Sequence, residues 1–245
     1  PMSMLSKIFG RKSDADTCPA DVIRMRDGRL LTIRFFGHAS IAFEYEGRHI
    51  YVDPVMKYAD YGHLPKADAI LVTHPHYDHF DMEAVEALRK EDTAILCDRT
   101  TAESFEGDCY TMLPGAAAHP LEGVRVDAVA AYNTSPEQLQ FHPRQSEFCG
   151  YLLTFADGES GMRVYVSGDT EPTDEMRALH DIDIAFVCVN QPYTMTPEQA
   201  VEAVEAIRPG IVYPYHFGEV DHPTDVEALA ARLAPLAEVR LRPLA

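Results

Sequence analysis

Short apolar runs separated by polar punctuation fill the chain, and their spacing predicts strands first and strand–helix pairs later. Leu30–Phe36, Ala39–Tyr45 and Arg48–Asp53 are β-branched and aromatic runs, the last two joined at Glu46-Gly47, and read as a meander. Ala69–His74 is a compact apolar strand, and Asp81–Lys90 after it sets Met82, Val85 and Leu88 three apart on one helix face. Thr93–Cys97, Tyr110–Leu113, Val124–Asn133, Phe148–Phe155, Arg163–Ser167 and Ile182–Asn190 extend the strand set, with a polar loop at Thr134–Ser146. Thr196-Pro197-Glu198-Gln199 is a capping box with Pro at the first helical position; the helix it opens turns Val201, Val204 and Ile207 inward and stops at Pro209-Gly210. A strand Ile211–Tyr215, a helix near Thr224–Leu233 and a strand Glu238–Leu241 follow. Two roughly symmetric halves of this kind predict an α/β domain over residues 29–245, two sheets face to face with helices outside, after a flexible tail at 1–28.

Composition narrows the class. The 245 residues are 46% hydrophobic and 24% charged, enough apolar side chain for a large core. No run approaches the ~20 apolar residues of a spanning helix, so stable membrane insertion is not expected. With 21 Lys and Arg against 39 Asp and Glu the formal charge is −18, which argues against a nucleic-acid partner, since phosphate backbones are held mainly by cations. Five cysteines without a Cys-x-x-Cys pair, and an N-terminus lacking an apolar signal core, fit a reducing, cytoplasmic setting.

The chemistry concentrates in His74-Pro75-His76-Tyr77-Asp78-His79, directly after the strand that begins at Ala69. Four potential metal ligands, three imidazoles and a carboxylate, within six residues at a strand end suit zinc and similar ions. Two later features end other strands: Asp169 in Ser167-Gly168-Asp169-Thr170, and His216 after Tyr213-Pro214-Tyr215. His49, His63, His119, His180 and His222 lack such company and take surface or packing roles. No Walker loop, G-x-S-x-G elbow or dinucleotide fingerprint is present.

His74-x-His76-x-Asp78-His79, the Gly168-Asp169-Thr170 turn and the late His216 together resemble the metallo-β-lactamase superfamily, from about Leu30 onward. Phe36-Gly37-His38-Ala39-Ser40 followed by Asp53-Pro54 is similar to its branch of small metal-dependent hydrolases. The resemblance implies a four-layer αββα sandwich holding two divalent ions, zinc first, with manganese or iron as alternatives. His74 and His76 would hold one ion, Asp78, His79 and His216 the other, and Asp169 would bridge them. Asp53 would orient a ligand from behind, and Asp78 and His38 are the candidate catalytic side chains.

One departure stands out. The family usually supplies a third histidine for the first ion after a central strand, and Asn133 stands in that place. Either His142, in Phe141-His142-Pro143-Arg144, reaches back to complete the site, or Asn133 leaves it weak. The implied activity is attack of a metal-bound hydroxide on an ester, lactone, amide or phosphodiester of a small molecule. An anionic substrate would pair with Arg144. An iron-dependent oxidoreductase and a metal-binding protein without turnover are the alternative readings, and an oligomer is compatible with all three.

Overall fold

In the computed structural model, which describes residues 18–156, 158, 161–220 and 223–245, nearly every strand pairs with its neighbour in sequence. The described residues form two seven-stranded sheets. The first contains β1 (Ala20–Arg24), β2 (Leu30–Gly37), β3 (Ser40–Tyr45), β4 (Arg48–Val52), β5 (Ala69–Val72), β6 (Ala94–Cys97) and β7 (Tyr110–Thr111) in chain order. The second contains β8 (Ala117–Leu121), β9 (Val124–Ala130), β10 (Cys149–Phe155), β11 (Met162–Val166), β12 (Ile184–Cys188), β13 (Ile211–Tyr215) and β14 (Glu238–Val239), again in order. β1 to β4 are antiparallel and β4 to β7 parallel. The second sheet repeats this, antiparallel through β11 and parallel thereafter. The expected symmetry of the two halves is therefore a duplication of topology.

Rings from both sheets interlock between them: Phe43 meets Phe155 at 5.7 Å and Phe186 at 6.2 Å, and Phe35 meets Tyr213 at 5.3 Å. Alternation along β2 sends Leu31, Ile33 and Phe35 into this core. On the far side of the first sheet, Tyr51, Ile70 and Val72 pack with Val85 and Leu88 of helix α1 (Met82–Leu88), beside the short α2 (Arg99–Ala102). Three helices accompany the second sheet: α3 (Asp174–Arg177), α4 (Pro197–Ile207) and α5 (Val226–Leu233). α4 carries the expected capping box, with Thr196 and Gln199 each bonding the other's backbone N–H. It buries Ala200, Ala203, Val204 and Ile207, while Val201 is only half-buried. The layers are helix, sheet, sheet, helix, the αββα sandwich.

Two strands depart from the expectations. Residues 20–24, expected in the flexible tail, form β1 in antiparallel register with β2, while residues 1–17 lie outside the described residues. The strand is tied across the molecule by Asp21, which accepts hydrogen bonds from Tyr213 Oη (2.5 Å), Arg242 Nη2 (2.7 Å) and Arg240 Nη1 (3.2 Å). β8 escapes the periodicity because Ala117–Leu121 is Ala-rich, contains Pro120 and is bulged between Ala118 and Leu121, all tolerated at a sheet edge. Among the described residues no helix is long and apolar enough to cross a membrane.

Partial burial raises the Asp21 pKa, but the hydrogen bonds from Tyr213, Arg242 and Arg240 outweigh it and leave the carboxyl below its usual value. Its contribution is therefore complete above the unfolded-state pKa and fades as pH falls through the lower folded value. Asp21→Asn is expected to cost about 1–2 kcal/mol at pH 7. Chemical denaturation should show the gap closing in acid below about pH 4; a gap that is absent at pH 7, or undiminished in acid, contradicts this anchoring role.

Candidate metal centre

Parallel strands share a direction, so β4, β5, β11, β12 and β13 all end at one rim, where α/β folds place their ligands. Asp53 follows β4, His74 follows β5, Asp169 follows β11, Asn190 follows β12 and His216 follows β13. His38 projects from the β2–β3 turn. Three of these residues, His38 (φ 53°), Asp53 (φ 46°) and His216 (φ 53°), hold the left-handed backbone region that non-glycine residues seldom adopt, and such strain gathers at functional sites. Gly168 (φ 61°) turns the chain before Asp169, where a Cβ would stand 3.0 Å from the Cys149 carbonyl oxygen and 3.2 Å from Thr73 Cβ. Opposite it, a Cβ on Gly150 would meet Ser167 O at 2.4 Å, so the two glycines let the backbones touch.

Around Asp169, only 4% exposed, imidazole nitrogens converge. His79 Nε2 lies 3.2 Å and His216 Nε2 3.4 Å from Asp169 Oδ1, and His142 Nε2 3.3 Å from Oδ2. His74 Nε2 is 3.9 Å from Oδ2 and 3.1 Å from His76 Nδ1. On the other flank, Asp78 Oδ2 faces His216 Nε2 at 3.4 Å and His38 Nε2 at 3.1 Å. Among the described residues, three groups of side chains have ligand atoms close enough to hold an ion: His74, His76 and His142; His38, Asp78, His79 and His216; and His74, His79 and Asp169. His79 Nε2, His142 Nε2 and Asp169 Oδ1 are buried without a hydrogen-bond partner. Buried lone pairs left unmatched in this way fit a cation.

The outer contacts set which nitrogen points inward. His79 Nδ1–H donates to Asp53 Oδ2 (2.8 Å), leaving Nε2 toward Asp169. Thr73 Oγ1 donates to the same oxygen (2.7 Å) and receives His74 Nδ1–H (3.0 Å), so one buried carboxylate orients two rings. His142 Nδ1–H donates to Tyr193 O (3.2 Å). Burial pushes the pKa of His74 well down, helped by the neighbouring His79, and lowers those of His76 and His38. Burial acts on His79 and His216 in the same sense, but the charge of Asp169 outweighs it and raises both. Asp169 and Asp78 would be raised by burial, yet the surrounding imidazolium charges and hydrogen bonds hold both below the ordinary carboxylate range. Protons on His79 and His216 thus balance the buried Asp169 and the half-buried Asp78 where a cation could replace them.

Of the residues expected from sequence, His38, His74, His76, Asp78, His79, His142, Asp169 and His216 meet here, with Asp53 behind them. Of the two residues weighed for the third position, His142 brings a ring nitrogen into the cluster, 3.3 Å from Asp169 Oδ2, and Asn133 does not. Asn133 donates its amide to Gln138 O (3.0 Å) and Tyr193 O (2.8 Å), and its backbone N–H to His142 O (2.8 Å), so it shapes the loop that delivers the histidine. Arg144 is a correction. Its exposed guanidinium pairs with Glu175 (2.9 Å) and lies over the Tyr132 ring, and it does not line the cleft above the centre. Carried on the short 3₁₀ turn Arg144–Ser146, it sits two residues past His142 and faces away. His49, His63, His119 and His180 stay out of the three groups, and His222 lies outside the described residues.

The sequence pattern missed Glu171. Fully buried two residues after Asp169, it accepts Thr134 N–H (2.5 Å), Ser135 N–H (2.6 Å), Ser135 Oγ–H (2.6 Å) and Gln199 Nε2–H (2.8 Å). It therefore clamps the start of the His142 loop to the Asp169 turn. A carboxylate this close to Asp169 was the only available signal.

The family profile of the β-lactamase superfamily domain matches residues 32–216, spanning every side chain of the cluster. This chain belongs to the metallo-β-lactamase superfamily. Within the superfamily it is similar to proteins described as UPF0173 metal-dependent hydrolases. The relative from Thermococcus onnurineus is 30% identical over 200 residues, covering 77% of this chain and 85% of its own. That from Koribacter versatilis is 29% identical over 205 residues, covering 77% and 84%. A crystal structure of a candidate metal-dependent hydrolase from Parabacteroides distasonis superposes with a TM-score of 0.86 at 41% identity, covering 93% of this chain and 100% of that one.

Glu171→Gln is expected to loosen the His142 loop. Losing one charged acceptor for two backbone amides is worth about 2 kcal/mol, or some thirtyfold in amide exchange across residues 134–142. Unchanged protection of those amides under hydrogen exchange contradicts the clamp.

Proposed function

We propose that this protein is a two-metal hydrolase of small molecules. The observation that carries the reading is the set of ligand-atom separations. Tetrahedral zinc with bonds of about 2.0–2.1 Å spaces neighbouring ligands by about 3.3–3.4 Å. The pairs His74–His76 (3.1 Å), His79–Asp169 (3.2 Å), His142–Asp169 (3.3 Å), His216–Asp169 (3.4 Å) and His216–Asp78 (3.4 Å) stand near that spacing. His74, His76 and His142 would hold one ion, Asp78, His79 and His216 the second, and Asp169 one oxygen for each. Bound there, a pair of divalent ions, zinc by this donor set, supplies an acidified water and polarises the bond under attack.

The chain's own residues do the rest. Asp53 and Thr73 hold the Nδ1–H of His79 and of His74, which aims Nε2 of both rings inward, where an ion would displace the competing proton of His79. His38 donates from Nε2 to Asp78 Oδ2 and is held between the His216 ring (3.7 Å) and the stacked Tyr58 ring (5.3 Å), so Asp78 cannot swing out. A cleft of about 720 Å³ opens over the centre, the size of a small-molecule site. Asn190 on its wall sets its amide nitrogen 3.5 Å from His216 Nε2. The scissile bond is that of an ester, lactone, amide or phosphodiester. The net charge of −18 supports a partner other than nucleic acid, and the buried thiols of Cys97, Cys149 and Cys188 support a reducing, cytoplasmic setting.

Metal titration of chelator-stripped protein should find two ions, with apparent affinity rising with pH as His79 and His216 give up competing protons. His142→Ala should leave one tight ion and Asp169→Asn should weaken both, each with loss of turnover on generic aryl esters, lactones or phosphodiesters. Asp169→Asn with unaltered metal content, or turnover indifferent to chelator, contradicts the reading.

A further inference from the structure

The cleft wall beyond the ligand set has a definite chemistry. Five of its described residues, Tyr77, Phe141, Pro192, Tyr193 and Val220, are apolar or aromatic, and Gln140, Asn190 and Gln191 are neutral amides. The remaining one, Glu219, is acidic, and among the described lining residues there is no Lys or Arg. Lys57, the nearby cation, is already engaged: its Nζ lies 2.5 Å from Glu219 Oε2, which also accepts from Tyr58 Oη at 3.0 Å. Arg144 is turned outward onto Glu175. The aromatic rings are placed to receive a flat or apolar group. Phe141 and Tyr193 meet edge-to-face at 4.8 Å, and Tyr77, 87% exposed, stands at the mouth with no packing role to account for it.

We infer that the part of the substrate remote from the scissile bond is an uncharged, aromatic or apolar substituent seated on Tyr77, Phe141 and Tyr193. The inference rests on the hydrolase reading for the reacting end and adds to it at the other. An anionic reacting group, such as a phosphodiester, remains compatible, because it would sit on the cationic centre. A second, remote anion would lose its hydration with no unpaired cation among the described lining residues to replace it. This revises the expectation of an anionic substrate held by Arg144.

Two phosphinates that differ only in a remote charge test this without turnover, since both lack a cleavable bond and both bring the same anionic reacting group to the ions. Binding of benzyl(methyl)phosphinate and of its 4-carboxy derivative to the zinc-loaded full chain is compared by calorimetry or saturation-transfer NMR. The ligand without the remote carboxylate should bind about tenfold tighter, a difference of some 1.4 kcal/mol. Tyr193→Ala should erase that preference by weakening this ligand alone. Gln140→Arg, at an exposed position whose side chain donates to Glu137 O, should reverse it. Equal or tighter binding of the carboxylated phosphinate, or no detectable binding of either ligand, overturns the inference. The preference present in a protein that cleaves no ester, lactone, amide or phosphodiester would instead sink the hydrolase reading and leave the pocket assignment standing.

Discussion

A carboxylate taken out of water must be met by positive charge or by several hydrogen bonds, and Asp169 is the group on which this structure turns. It sits nearly sealed at the rim between the two sheets, with nitrogens of His79, His142 and His216 within 3.4 Å. In the bare protein, protons on His79 and His216 supply the compensation; a cation supplies it better, because every nearby lone pair can then be used. Much of the surrounding architecture serves this contact. Gly150 and Gly168 let the Asp169 turn press against β10 and Thr73, Asp53 and Thr73 hold two rings in the needed tautomer, and Glu171 fastens the loop that brings His142 across.

The duplicated topology explains how distant segments reach one place. Each half runs through three antiparallel pairings and then three parallel ones, so the fourth, fifth and sixth strands of both halves end at the same rim. Asp53 and Asp169 follow the fourth strand of their halves, and His74 and Asn190 the fifth. His38 and His142 both come from the connection between the second and third strands, as a tight turn in one half and a long loop in the other. The two halves thus contribute equivalent positions with different chemistry: an outer carboxylate opposite an inner one, and a histidine on each flank.

Much of this was legible in the chain because its causes are local. Alternation along β2, the capping box of α4 and the run from His74 to His79 each lie within a dozen residues, and each is found where expected. What escaped depends on distant partners. β1 is an edge strand whose hold comes from Arg240 and Arg242, some 220 positions away, and β8 owes its place to β9. Whether the long loop turns His142 or Arg144 toward the centre hangs on Asn133, Tyr193 and Glu171, which meet only after folding. Arg144 illustrates the limit: charge and proximity in sequence suggested a substrate contact, while Glu175 and Tyr132 draw it out of the cleft over the centre.

Under the proposed function, two ions would share Asp169 between the His74–His76–His142 group and the Asp78–His79–His216 group. Anomalous diffraction from crystals soaked in zinc or manganese measures this directly. Two peaks roughly 3.5–4 Å apart, one beside each group and both within bonding reach of Asp169, are the predicted result. A single peak touching neither His142 nor Asp169, or no peak above background with all seven side chains in place, would contradict it.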